Sequence, residues 1–136
     1  MRRADLFIFY DDIHITTNMA GATAIRSKHI RKQWLTIPVN SKGSVTQGVP
    51  IKDVRIDWFK PWAKSHLKSL TISYSKSPHF KGYPSLLGDL YQRRDEFLAD
   101  FTIETSIRLA RELGFTTAKF MRSSELTNLE GQKPIA

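Results

Sequence analysis

Leu6-Phe7-Ile8-Phe9-Tyr10-Asp11-Asp12 is an unbroken run of β-formers closed by two carboxylates. A run this short and this rich in aromatic residues reads as a buried strand rather than as one face of a helix. Beyond it the signals weaken. Residues 16–24 are small and weakly patterned, which predicts an irregular loop. A basic run, Arg26-Ser27-Lys28-His29-Ile30-Arg31-Lys32, leads into Trp34-Leu35-Thr36-Ile37-Pro38-Val39, a second strand. Pro38 has no amide proton to donate, so it suits an edge or a strand end. Residues 40–50 form a polar loop. A third strand is expected over 51–58, where Val54, Ile56 and Trp58 alternate with Asp53, Arg55 and Asp57.

From Lys60 the period changes. Pro61 suits a first helical turn, and Trp62, His66, Leu70 and Tyr74 recur at near-helical spacing. Pro84 opens a second helix with Leu86, Leu87, Leu90 and Tyr91 on one side. A third helix is expected over 95–113, apolar around most of its circumference and stopped by Gly114. A fourth strand fits 115–121, and the tail from Arg122 shows no clear continuation. Residues 1–136 therefore read as a single α/β domain, with a mixed sheet of about four strands packed by two to three helices.

Composition bounds the function. The 136 residues are 40% hydrophobic and 11% aromatic, enough for a packed core and too much for a disordered chain. There is no cysteine, which removes thiol nucleophiles, iron–sulfur clusters and thiolate zinc sites. Twenty-one Lys and Arg against thirteen Asp and Glu leave a net charge of +8. Such a field favours anionic partners: a small molecule such as a nucleotide-linked sugar, or nucleic acid. A spanning helix needs about 20 apolar residues and a signal sequence about 7–15. Neither pattern is present, and the reading is a cytoplasmic protein with no membrane span.

No glycine-rich phosphate loop, His-Glu-x-x-His or Gly-x-Ser-x-Gly motif occurs, so chemistry must come from looser constellations. Asp11-Asp12-x-His14 at a strand end offers carboxylates and an imidazole for Mg²⁺, or for a general base and its orienting partner; the same carboxylates could instead cap local backbone amides. His66 sits on a half-apolar face, either as a hydrogen-bonded core residue or as a catalyst beside a pocket walled by Trp62, Tyr74, Phe80 and Tyr83. Arg26, Lys28, Arg31 and Lys32 would hold phosphates, or line a solvated loop. Arg122-Ser123-Ser124-Glu125 after the last strand fits an anion-binding turn or the N-cap of a helix.

The order of these pieces resembles the WbqC-like family. The matching stretches are Asp5-Leu6-Phe7-Ile8-Phe9-Tyr10-Asp11-Asp12-Ile13, the Trp34 strand, Val54-Arg55-Ile56-Asp57, Trp62-x-x-x-His66, Tyr74-x-Lys76-x-Pro78-x-Phe80-x-x-Tyr83, and the stretch from Leu113 through Met121-Arg122-Ser123-Ser124-Glu125-Leu126. The resemblance implies a role in surface-polysaccharide (O-antigen) biosynthesis, as a transferase placing an aminoacyl or acyl group on an amino sugar. Related phage proteins imply an alternative, attachment of amino acids to modified bases in DNA. Carried over by position, Asp11, Asp12, Trp34, Trp62, His66, Tyr74, Lys76, Ser123 and Ser124 are the matching residues, with His66 cast as general base and Asp12 as its orienting group or a metal ligand. The resemblance identifies neither a cofactor nor a metal. Family members usually carry a Gln-Pro-x-x-x-Pro-Trp-x-Gly-type segment before the first strand and continue well beyond Ser-Ser-Glu-Leu. By that comparison the domain is incomplete at both edges, and a non-catalytic fragment is a third reading.

Overall fold

The computed structural model describes residues 4–14, 22–26, 32–40 and 49–130. The opening apolar run forms β1 (Leu6–Phe9). Two further strands come next, β2 (Ala22–Arg26) and β3 (Lys32–Thr36). Then come α1 (Trp62–Tyr74), α2 (Pro84–Gln92) and α3 (Leu98–Glu112). The last elements are β4 (Lys119–Arg122) and α4 (Ser123–Glu130).

β1 finds its partner at the far end of the sequence. β4 runs parallel to it, in register from Leu6 opposite Lys119 to Phe9 opposite Arg122. A parallel pair needs a long crossover, and here most of the chain supplies it. β2 and β3 pair antiparallel, from Ala22 opposite Thr36 to Arg26 opposite Lys32. The mixed α/β character expected from the sequence is therefore present. The single sheet of about four strands is not: among the described residues the strands form two separate two-stranded ladders.

Four local expectations change. Residues 22–24, read as irregular loop, lie in β2; their small side chains show no alternation, and the strand exists because β3 pairs with it. Residues 51–58 do not make a regular strand. Ile51–Asp53 is a turn of 3₁₀ helix, and the extended backbone after it is held one bridge at a time. On one side Asn40 donates its amide to the Arg55 carbonyl at 3.0 Å and Asp57 to that of Pro38 at 2.9 Å. On the other, Ile56 donates to Glu96 and Leu98 to Val54, both at 2.9 Å. The alternation nonetheless marks the faces, since Val54 and Ile56 are buried and Arg55 is exposed. The same bridging explains why α3 begins at Leu98 rather than at 95, because the backbone of Glu96 and Phe97 is committed to the 54–56 segment. Finally, the tail is a helix, α4.

Pro84 occupies the first turn of α2, where a missing amide proton costs nothing. Gly114 ends α3 with φ of 88°, a left-handed conformation that suits glycine. Its amide donates to the Arg111 carbonyl, and that of Phe115 donates to Ala110, the double closure of a Schellman cap.

The core gathers Ile37, Val54, Ile56, Trp62, Leu98 and Phe101. Trp62 meets Phe101 edge-on at 5.4 Å, a geometry worth about 0.5–1.5 kcal/mol beyond the area buried. α3 passes between two neighbourhoods. Phe101 faces this core, while Ile103 and Ile107 share a cleft with Phe9 of β1 and Phe120 of β4. Two buried flanks explain its wide apolar arc, although Leu109 and, just beyond the helix, Leu113 remain exposed. Among the described residues no helix is long and apolar enough to cross a membrane.

Candidate functional site

The parallel pairing of β1 and β4 sets their carboxyl ends side by side. Asp11 and Asp12 lie just past the end of β1, and Ser123 and Ser124 come directly after β4. The sequence separates these residues by more than a hundred positions; the ladder makes them neighbours.

Asp11 is 2% exposed and Ser123 is 1% exposed. The Asp11 carboxylate accepts from the Ser124 amide at 3.0 Å through Oδ1 and from the Ser124 hydroxyl at 2.7 Å through Oδ2. The Ser123 hydroxyl lies 3.2 Å from Asp11 Oδ1 and is also hydrogen-bonded to Asp12 Oδ1, while it accepts from the Asp11 amide at 3.2 Å. With one proton, it donates to one carboxylate at a time.

This arrangement resolves into a helix cap. α4 starts directly from β4, so its N-cap position falls on Arg122, whose side chain has no acceptor. Glu125 reaches back to accept from the Arg122 amide at 3.1 Å, which is one half of a capping box. Asp11 supplies the other half from across the ladder, accepting the amide that an N-cap side chain would take. The anion held by the turn after β4 is thus the chain's own carboxylate, and the amide that Asp11 caps belongs to a helix more than a hundred residues away. Arg122 closes the charge balance, donating to Asp100 Oδ1 at 2.6 Å and lying 4.0 Å from Asp11 Oδ2.

His66 belongs to a second location. It is 6% exposed, on the buried side of α1. Its Nε2 lies 2.9 Å from the Thr36 carbonyl oxygen, and its Nδ1 lies 3.4 Å from the Tyr91 hydroxyl. A carbonyl only accepts, so Nε2 carries the proton and Nδ1 presents its lone pair to the tyrosine. Burial pushes the imidazole below its ordinary value of 6.5, opposed by the bond to Thr36. Burial also pushes the Tyr91 phenol up to about 12. Both groups are neutral near pH 7. The Trp62 ring packs edge-on against the imidazole at 5.1 Å, and Tyr91 at 5.7 Å.

Beside His66 lies a cavity of about 290 Å³, lined among others by Leu35 of β3, His66 and Leu70 of α1, Leu87 and Tyr91 of α2, and Thr105 of α3. The expected wall of Trp62, Tyr74, Phe80 and Tyr83 is not its lining. The residues that sequence reading missed are Tyr91 and Thr105, together with the Thr36 carbonyl. Tyr91 was legible only as part of an apolar stripe, and a backbone carbonyl leaves no sequence signal.

The remaining candidates are dispersed. The partnership expected between Asp12 and His66 is replaced: Asp12 faces Ser123, and the imidazole is oriented by Thr36. Trp34 is 64% exposed on β3, Tyr74 is half-buried at the end of α1, and Lys76 is exposed beyond it. Arg26 and Lys32 close the β2–β3 ladder as opposite positions, while Lys28, His29 and Arg31 lie outside the described residues. Among the described residues no three His, Cys, Asp or Glu side chains converge as a metal site, so Asp11-Asp12-x-His14 does not form one there.

Among the described residues the fold and the two clusters define a mixed α/β structure whose first and last strands pair, with a capped helix at their carboxyl ends and a buried histidine on a cavity wall. The model of the WbqC-like protein family matches residues 1–135. The chain belongs to the WbqC-like family, as the order of its motifs implied. Comparison with curated proteins and with solved structures gave no match.

Proposed function

We propose that the chain transfers an aminoacyl or acyl group to the amino group of a nucleotide-linked sugar in surface-polysaccharide biosynthesis, with His66 as general base. Family membership supports the class. The observation that carries the base assignment is the neutral imidazole on a cavity wall, with Nε2–H tied to Thr36 and the Nδ1 lone pair facing a long, displaceable contact to Tyr91. In the transfer, the amine nitrogen forms a bond to the donor carbonyl carbon, the bond from that carbon to its leaving group breaks with its electron pair, and Nδ1 takes the proton shed by the amine. An amine attacks only through its free lone pair, and a base that stays unprotonated at neutral pH keeps it available. Arg26, Lys28, Arg31 and Lys32 would hold the diphosphate of the acceptor. Asp11, Asp12 and Ser123 hold α4 against β1 and serve as positioning residues.

The test is direct. Purified protein is incubated with a nucleotide-linked amino sugar and activated acyl or aminoacyl donors, and amide formation is read as a mass increase of the sugar nucleotide. Turnover should fall about 10²–10⁴-fold in His66→Gln. Unchanged turnover removes the base assignment; no product with the unmodified protein removes the reading.

The net charge of +8 favours a second reading, action on DNA bearing modified bases. Binding to duplex DNA should then weaken steeply and log-linearly with added salt. No binding at low salt discards it.

A further inference from the structure

We propose that the cavity between β3, α1, α2 and α3 binds a small uncharged ligand with an apolar body and one hydrogen-bond acceptor, such as an acyl or aromatic amide group, and that the acceptor takes the proton of the Thr105 hydroxyl. Three observations lead there. The cavity measures about 290 Å³, and its walls are mainly leucine, isoleucine and aromatic side chains. An apolar cavity of about 150 Å³ already admits benzene, so this one has room for a ring and a substituent.

Thr105 is the second observation. Its Oγ1 is buried and has no hydrogen-bond partner among the described residues. Its neighbours on α3 behave differently. Thr102 donates to the Leu98 carbonyl at 2.9 Å and Ser106 to that of Thr102 at 2.8 Å, each satisfied by its own helix. A buried hydroxyl left without a partner costs free energy that an incoming acceptor would return.

The third observation is charge. In a chain of net charge +8, no Lys, Arg, Asp or Glu among the described residues lines this cavity. Among the described residues its titratable walls are His66 and Tyr91, and burial disfavours the charged form of each. A carboxylate or phosphate would enter without a counter-ion and lose its hydration, so the cavity selects against charge. The phosphates of a nucleotide therefore belong elsewhere.

The experiment uses the full chain and three probes: benzamide, its charged isostere benzoate, and toluene, which lacks the acceptor. Binding is followed by chemical-shift changes of the cavity methyl groups. Benzamide and toluene should bind, with benzoate at least tenfold weaker than benzamide. Thr105→Val keeps the shape and removes the hydroxyl, so it should weaken benzamide about three- to tenfold, the worth of one neutral hydrogen bond, and leave toluene unchanged. Leu87→Trp should abolish both by filling the space; should that variant not fold, the Thr105→Val comparison still decides. Benzoate binding as tightly as benzamide overturns the proposal, as does silence of the cavity methyls toward all three probes at millimolar concentration. The readout involves no turnover, so failure here leaves the base assignment of His66 to its own assay.

Discussion

Asp11→Ala is expected to destabilise the fold by about 3–5 kcal/mol, the usual cost of stripping one partner from a buried charged network. The carboxylate is nearly inaccessible and accepts from the Ser124 amide and from the Ser124 hydroxyl, with the Ser123 hydroxyl also within reach. Alanine leaves the Ser124 amide and hydroxyl without this acceptor, at about 1–3 kcal/mol for each such group that water does not reach, while the Ser123 hydroxyl keeps Asp12. It also removes the negative charge from the N-terminus of α4 and the counter-charge near Arg122. Asp11→Asn should cost less, about 1–2 kcal/mol, because its carbonyl oxygen can still cap the Ser124 amide while its NH₂ group cannot accept from the hydroxyl. Chemical denaturation of the two variants checks the order. A midpoint for Asp11→Ala matching the parent would mean that α4 is not held by the β1 carboxylate.

His66→Ala is the second large effect, about 3 kcal/mol, from the hydrogen bond to Thr36 lost at the end of β3 and the void left among Trp62 and Tyr91. The imidazole also gives stability a pH dependence of definite sign. Its folded value lies below 6.5, the ordinary value it regains on unfolding. Below that pH the unfolded chain binds a proton that the folded chain resists, so unfolding becomes easier as the solution is acidified through 6.5 and lower. Above it this contribution is flat. Tyr91 acts at the opposite end: from its ordinary 10 toward 12 the unfolded phenol ionises before the folded one, and stability falls as pH rises through that window. Denaturation midpoints of His66→Gln should lose the acid-side slope due to this residue and keep the alkaline one. An unaltered acid slope would mean that His66 is not buried as a neutral ring.

The sequence announced its helices and its faces better than its pairings. Pro84, Gly114 and the spacing from Trp62 to Tyr74 placed helix ends within a few residues because each signal is local. The alternation of Val54, Ile56 and Trp58 located a buried face but not the ladder, since regular strand depends on neighbours and here the neighbours are single bridges to 38–40 and 96–98. β2 was illegible for the same reason: Ala-Thr-Ala carries no preference until β3 lies beside it. The site divided in the same way. Asp11, Ser123 and His66 stood out by residue type and motif. Their pairings did not, because Asp11 meets Ser124 through the β1–β4 register and His66 is oriented by a backbone carbonyl, which any residue type at position 36 would supply.

The proposed chemistry depends above all on His66 being a buried neutral base in a fixed tautomer. Nitrogen-15 spectroscopy of its imidazole across a pH titration tests this most directly. The expected result is a neutral ring protonated at Nε2, with Nδ1 bare, that takes up its second proton only below the ordinary 6.5. A ring that titrates at or above that value, or one that carries its proton on Nδ1, would contradict it.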